Sequence, residues 1–194
     1  MTGLEDSDDA LIGRVRAGDN QAFESLLLRY KSRVKGLALR FMKDLGEAEE
    51  VSQEVFLTVY QKINQYEGKS LFSTWLFRVA VNTALMRLRA KAGAAVVPLE
   101  DVSEDLTCAD EEGLVKPDDN LFTEESLLKI EKATEHLSDE YKTIFILRDI
   151  EGFSTEETAE IMNLSPEAVK SRLHRARAFL RKRLTDLYQE TVKS

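Results

Sequence analysis

The hydrophobic positions of this chain fall into helical repeats separated by short polar breaks. Leu11, Ile12 and Val15 open the series, and Ala22, Phe23, Leu26, Leu27 and Tyr30 continue it at helical spacing. Between the two groups, Gly18-Asp19-Asn20 is a turn signal, and Asp19 or Asn20 can cap the helix that follows. That helix is predicted to run to about Phe41, and Lys43-Asp44-Leu45-Gly46 reads as the next break. A third helix is predicted over residues 47–63, because Val51, Val55, Val59 and Ile63 recur every fourth residue as a stripe to bury, flanked by Phe56 and Tyr60. After a loop at residues 66–70, a fourth helix is predicted over 71–91, with Ser70 or Ser73 as its cap.

Helical periodicity is lost over residues 92–120, which hold Gly93, Pro98, Gly113 and Pro117 and read as an extended linker. It resumes in a last segment, 121–194. There Ser154-Thr155-Glu156-Glu157 looks like a capping box, with Ser154 as the cap and Glu157 reaching back. A short helix to Met162, a turn at Asn163-Leu164, and a second helix capped by Ser165 with Pro166 at its first position follow. Ala159 is small where two helices must approach, and Ile161, Leu164 and Val169 are apolar where they must pack. This is the pattern of a helix-turn-helix. Nine glycines and three prolines are few breakers for 194 residues, so the fold expected is all-α: two small helical domains, 1–91 and 121–194, joined by a flexible linker.

Charge sharpens this picture. The net charge of −8 argues against a protein that coats nucleic acid along its whole surface, but the distribution is uneven. Residues 92–120 carry nine acids and one base, while residues 165–184 carry seven bases and one acid. The linker acids either keep it solvated or mimic nucleic acid in a basic channel. In the second helix of the helix-turn-helix, Val169, Leu173, Ala176, Leu180 and Leu184 form the packing stripe. The opposite side presents Glu167, Lys170, Ser171, His174 and Arg175, placed early enough to reach base edges in a major groove. Arg172, Arg177 and Arg181 are placed for phosphates.

The fourth predicted helix mixes aromatics with cations, and no acid occurs between Glu67 and Glu100. Phe72, Trp75, Arg78, Arg87, Arg89 and Lys91 suit single-stranded DNA, with bases stacking on rings and cations following phosphates; Phe72 and Trp75 fit a core equally well. On the third helix, Glu47, Glu50 and Glu54 share a side, with Gln53 and Leu57 beside them. That side is either a solvated face or a docking surface for a basic partner.

No catalytic constellation is visible. His136 and His174 belong to no ligand cluster, and Cys108 stands alone, so neither an internal disulfide nor a metal site is expected. No cofactor is expected either. No apolar run is long enough to span a membrane, and the acidic start at Glu5, Asp6, Asp8 and Asp9 is unlike a signal peptide, so a cytoplasmic protein is expected.

The strings 152–159 (GFSTEETA) and 165–177 (SPEAVKSRLHRAR) together resemble region 4 of the extracytoplasmic-function sigma factors. Residues 47–56 (EAEEVSQEVF) are similar to the family's region 2.2, and 72–82 (FSTWLFRVAVN) to its regions 2.3 and 2.4. The resemblance covers nearly the whole chain in the right order. It implies a protein without enzymatic activity that guides core RNA polymerase to promoters and melts them, in a stress or envelope response. It further implies that Glu47, Glu50, Gln53, Glu54 and Leu57 dock on the polymerase beta-prime clamp helices, with the beta flap as a second polymerase contact. Phe72, Trp75, Arg78, Asn82, Met86 and Arg89 would read the −10 element, and Glu167, Lys170, Ser171, Arg172, His174, Arg175 and Arg177 the −35 element. An anti-sigma factor is an implied partner. Two positions depart from the family pattern: Met86 stands where a polar residue is usual, and Pro166-Glu167-Ala168 replaces Pro-Gly-Thr. The alternative is a conventional helix-turn-helix regulator with an N-terminal dimerisation or sensor domain.

Overall fold

The computed structural model describes residues 6–92 and 133–192, with side chains over 6–91 and 133–185. Residues 93–120 of the predicted linker, Cys108 among them, and the start of the last segment lie outside the described residues. Among those described there are helices and turns and no strand. Residues 6–92 with 156–164 form one compact unit, and 133–155 with 165–192 form the other.

The first unit begins with α1 (Asp8–Arg16), capped by Ser7, whose hydroxyl accepts from the Ala10 amide at 3.3 Å. Asp8 and Asp9 in its first turn and Arg14 and Arg16 in its last complement the helix dipole. Gly18, at φ +92°, makes the turn that an L side chain would strain. Asp19, rather than Asn20, caps α2 (Asn20–Met42), accepting from the amides of Gln21 at 2.9 Å and Ala22 at 3.2 Å. The Arg14 guanidinium and these amides hold the Asp19 carboxyl below its ordinary pKa.

The break before α3 (Leu45–Lys62) is shorter than its composition implies. Lys43 turns left-handed at φ 60°, and Asp44 caps at once by accepting from the Glu47 amide at 2.8 Å. Leu45 and Gly46 therefore enter the helix. A 3-10 turn at Ile63–Gln65 ends it.

The helix α4 (Phe72–Ala92) starts one residue later than the pattern indicates. Leu71 sits at its entry, its carbonyl accepting from the Trp75 amide at 3.2 Å, so neither Ser70 nor Ser73 is in the capping position. Side-chain ties shape the loop before it. Arg16 donates to the carbonyl of Ile63 at 3.1 Å and to that of Tyr66. The Tyr66 hydroxyl donates to the Ser70 carbonyl at 2.7 Å.

α2 packs on α1, α3 and α4, and α3 packs on α4. The core holds Leu26, Val34 and Leu37 from α2, the stripe Val51, Val55 and Val59 from α3, and Leu76, Phe77 and Val81 from α4. Each such side chain contributes about 1.5–3 kcal/mol by leaving water. Tyr30, Tyr66, Phe72 and Trp75 form an aromatic cluster, with centroids 5.5–5.9 Å apart in the contacting pairs. Burial and the neighbouring Asp8 carboxylate push the Tyr30 hydroxyl pKa up.

In the second unit, α5 (Asp139–Phe145) runs into a π-turn at Ile146–Ile150. Ala133, Leu137, Tyr141, Ala176 and Leu180 make its core, with Phe145, Phe179 and Leu184 packed against them. Gly152, at φ +77°, turns the chain, and the Phe153 amide reaches back to the Leu147 carbonyl at 2.9 Å. The short α6 (Thr155–Met162), which from Glu156 onward groups with the first unit, has Ser154 in the capping position. It ends at Asn163, which is left-handed at φ 53°, and the Leu164 amide donates to the Ala159 carbonyl at 2.9 Å. Ser165 then caps α7 (Pro166–Val192), its hydroxyl accepting from the Ala168 amide at 3.1 Å, and Pro166 takes the first position where no amide is needed.

Candidate nucleic-acid interface and docking face

Three helix faces carry the residues singled out by sequence. On α7, Val169, Leu173, Ala176 and Leu180 are buried, and Glu167, Lys170, Ser171, His174 and Arg175 are exposed. The spacing of the exposed set, three and four residues apart, keeps it on one side of the helix. Arg172 and Arg177 behave differently. Arg172 is half-buried with its Nε 3.0 Å from Glu140 Oε1. Arg177 grips Asp149 with two donors, Nε to Oδ2 at 3.0 Å and Nη2 to Oδ1 at 2.5 Å. The Asp149 side chain is only 18% exposed, and the pair pushes the Arg177 pKa up. Both arginines thus tie α7 to α5 and its π-turn, so their guanidinium groups already hold an anion.

On α4, Asn82, Met86 and Arg89 are exposed and lie four and three residues apart, forming one stripe. Met86 is 68% exposed, the highest value among the large hydrophobics described. Trp75 and Arg78 are half-buried. Phe72 corrects an expectation. It is only 3% exposed and is enclosed by Tyr30, Tyr66 and Trp75, so no ring face is open to a base. It anchors the start of α4 instead.

On α3, Glu50, Gln53 and Glu54 are exposed and Glu47 is half-buried, while Leu57 is 58% exposed. Glu47 and Glu50 are not simply solvated. Lys91 Nζ lies 2.5 Å from Glu47 Oε2, and Arg87 donates to Glu50. Among the described residues no cation pairs with Glu54. Beside this face, Phe23 and Leu27 of α2 and Phe56, Leu57 and Tyr60 of α3 line an apolar groove edged by Lys31, Lys35 and Glu49. The Phe23 and Tyr60 rings meet edge to face at 4.9 Å. The groove and the partners of Glu47 and Glu50 were not apparent from spacing on single helices, since both arise between helices.

Among the described residues no cluster of His, Cys, Asp and Glu could hold a metal, and no helix is long and apolar enough to cross a membrane.

Comparison with known proteins turns these faces into an assignment. The sigma-70 region 2 model matches residues 26–93, and the sigma-70 region 4 model matches 127–180. The RNA polymerase sigma-H factor of Pseudomonas aeruginosa is 34% identical over 191 residues, covering 96% of this chain and 98% of that protein. The ECF RNA polymerase sigma factor SigW of Bacillus subtilis is 34% identical over 186 residues, 91% of this chain and 96% of its own length. The chain belongs to the extracytoplasmic-function sigma factors. Its fold is also that of the sigma factor RpoE from Bartonella quintana, solved in complex with the anti-sigma factor NepR. That likeness has a TM-score of 0.62 and 24% identity, covering 84% of this chain and 96% of that one.

As a sigma factor it is not an enzyme; it directs transcription initiation by RNA polymerase at promoters. The two family matches fall on the helices that carry the exposed faces described above. The region 2 match spans the sigma factor's α3 and α4, and the region 4 match spans its helix-turn-helix.

Proposed function

We propose that the sigma factor divides initiation between its two family regions. Residues 1–91 dock on the beta-prime clamp helices and capture the −10 element, and residues 121–194 bind the −35 element and meet the beta flap. Residues 92–120 join them, so that each DNA contact raises the effective concentration of the other. On α7, Glu167, Lys170, Ser171, His174 and Arg175 face the −35 bases and phosphates. On α4, Trp75, Arg78, Asn82, Met86 and Arg89 face the −10 strand. On α3, Glu50, Gln53, Glu54 and Leu57, with Glu47 at the edge, meet polymerase.

The observation that carries this reading is the exposed set on α7, set above a buried stripe and begun by a capped, proline-led first turn. A helix so built enters a major groove with its early residues at base edges. The acidic face of α3 supports docking on a basic partner by charge complementarity. The apolar groove between α2 and α3 suits an anti-sigma factor, the kind of partner bound to the Bartonella protein. We place the sigma factor in the cytoplasm, where polymerase and promoters are.

Run-off transcription on a genomic promoter pool tests the reading. With core polymerase as the only other protein, the sigma factor should start transcripts at a defined promoter class. Absence of such starts, with tight binding of a palindrome by the sigma factor alone, would establish the conventional regulator instead. Glu54→Lys should weaken polymerase binding while leaving affinity for −35 duplex intact; unchanged polymerase binding would remove the docking face.

A further inference from the structure

The two ion pairs between α3 and α4 join residues from faces that have separate tasks. Glu50 and Glu47 are three residues apart on α3, and their partners Arg87 and Lys91 are four apart on α4. Stepping down one helix accompanies stepping up the other, as antiparallel neighbours require. One further step reaches Glu54 on α3 and Thr83 on α4. Thr83 carries no charge, and its hydroxyl donates to the Val79 carbonyl at 2.9 Å. The ladder therefore covers two acids of the docking face and leaves the third to solvent. Its cations stand on the helix of the exposed Asn82–Met86–Arg89 stripe, and Arg87 directly follows Met86.

We propose that Arg87 and Lys91 are phosphate-binding cations of the −10 surface, held by Glu50 and Glu47 until polymerase takes those carboxylates. The inference rests on the docking reading given above. Its chemistry is a partner exchange with no covalent step. In the free sigma factor each guanidinium or ammonium is neutralised by a carboxylate of α3. When basic side chains of polymerase approach, Glu54 and Leu57 engage first, because neither is tied to α4. Glu50 and Glu47 then turn to the new cations, and Arg87 and Lys91 are left to meet the DNA backbone.

The exchange is feasible because the pairs are shallow. Arg87 and Glu50 side chains are 38% and 66% exposed, and Lys91 and Glu47 are 52% and 31% exposed. Exposed pairs of this kind alter an equilibrium by up to about five-fold each. They hold the cations without trapping them. The coupling is reciprocal, so DNA on α4 strengthens polymerase docking by the same factor.

The test is binding of the full-length sigma factor, without polymerase, to a fluorescent single strand carrying the −10 sequence, measured across salt. Glu47→Gln with Glu50→Gln should tighten binding by roughly two- to ten-fold, the range for two exposed pairs. The salt slope should steepen by about 0.7 for each phosphate newly neutralised. A control with Glu24→Gln and Glu156→Gln removes the same charge from exposed acids that pair with no cation among the described residues, and should give a clearly smaller gain. In a background of Arg87→Gln with Lys91→Gln, the gain from the α3 changes should vanish. Equal gains from the two acid pairs, or a gain that persists without the α4 cations, would overturn the proposal. Failure of the docking reading appears separately, as normal polymerase binding by Glu54→Lys. A missing gain on the single strand, together with weakened polymerase binding by Glu54→Lys, sinks the exchange and leaves the docking face standing.

Discussion

The two basic helices of this sigma factor, α4 and α7, look alike in charge and differ in how much of that charge is available. Along α7, burial and exposure follow the helical period. Its stripe from Val169 to Leu180 is inside, and its early polar residues are outside. Among its described residues, Arg172 and Arg177 are spent on internal ion pairs. α4 packs against both α2 and α3, so its apolar residues do not keep to one stripe. Phe72 is consumed by the aromatic cluster, and Arg87 and Lys91 are held by α3. A helix packed on one side shows its function in its pattern, and a helix packed between neighbours hides it.

The largest effect expected from this difference is on stability. Leu76 of α4 is fully buried, whereas Leu173 of α7 keeps 7% of its surface exposed. Leu76→Ala should cost its unit about 2–5 kcal/mol, from lost transfer energy and the cavity left behind. Leu173→Ala should fall at the lower end of that range, because solvent at its edge lets the site relax. Urea titration of both variants compares the two, and a larger loss at Leu173 would break the contrast between a sandwiched helix and a one-sided one.

The next effect separates two arginines two residues apart. Arg175 is exposed, so Arg175→Ala should lower discrimination between correct and altered −35 sequences by about 1–3 kcal/mol and leave the fold untouched. Arg177 grips Asp149, so Arg177→Ala should cost its unit about 1 kcal/mol. Its loss should leave the sequence preference on DNA unchanged. Competition binding on a −35 duplex library, alongside thermal melts, reads both. Loss of sequence preference in Arg177→Ala would mean that its ion pair with Asp149 opens on DNA.

These contrasts also mark how far the sequence was legible. The helix-turn-helix was readable in detail, because Ser165, Pro166 and the Asn163-Leu164 turn each act within a few residues of themselves. The stripe of α3 was readable for the same reason, as Val51, Val55 and Val59 report one packed side. The buried fate of Phe72 was not, since it depends on Tyr30 and Tyr66, which lie 42 and six residues earlier in the chain. The engagement of Glu47 and Glu50 was equally hidden, because spacing on α3 places them on a face without showing what α4 brings opposite. The π-turn at Ile146–Ile150 left no local signal, and of its surroundings only Gly152 marks the turn that follows.

The smallest effect on stability is expected at Met86, and it tests α4 where that helix is most open. A side chain 68% exposed packs against little, so Met86→Ala should change stability by less than about 0.5 kcal/mol. Its effect on DNA should be of another kind. A thioether with no strong hydrogen-bonding atom cannot read a donor or an acceptor on a base. It can lie against a thymine methyl or a ring face. Met86→Asn would put a donor and an acceptor at the same place, between Asn82 and Arg89 on the exposed stripe. Transcription from a −10 library should therefore shift its preferred base at one position in Met86→Asn, whereas Met86→Ala should only flatten it. An unchanged −10 preference in both variants would mean that the exposed stripe of α4 touches the backbone alone. The contrast with α7 would then be complete: one helix that reads bases and one that only holds the strand.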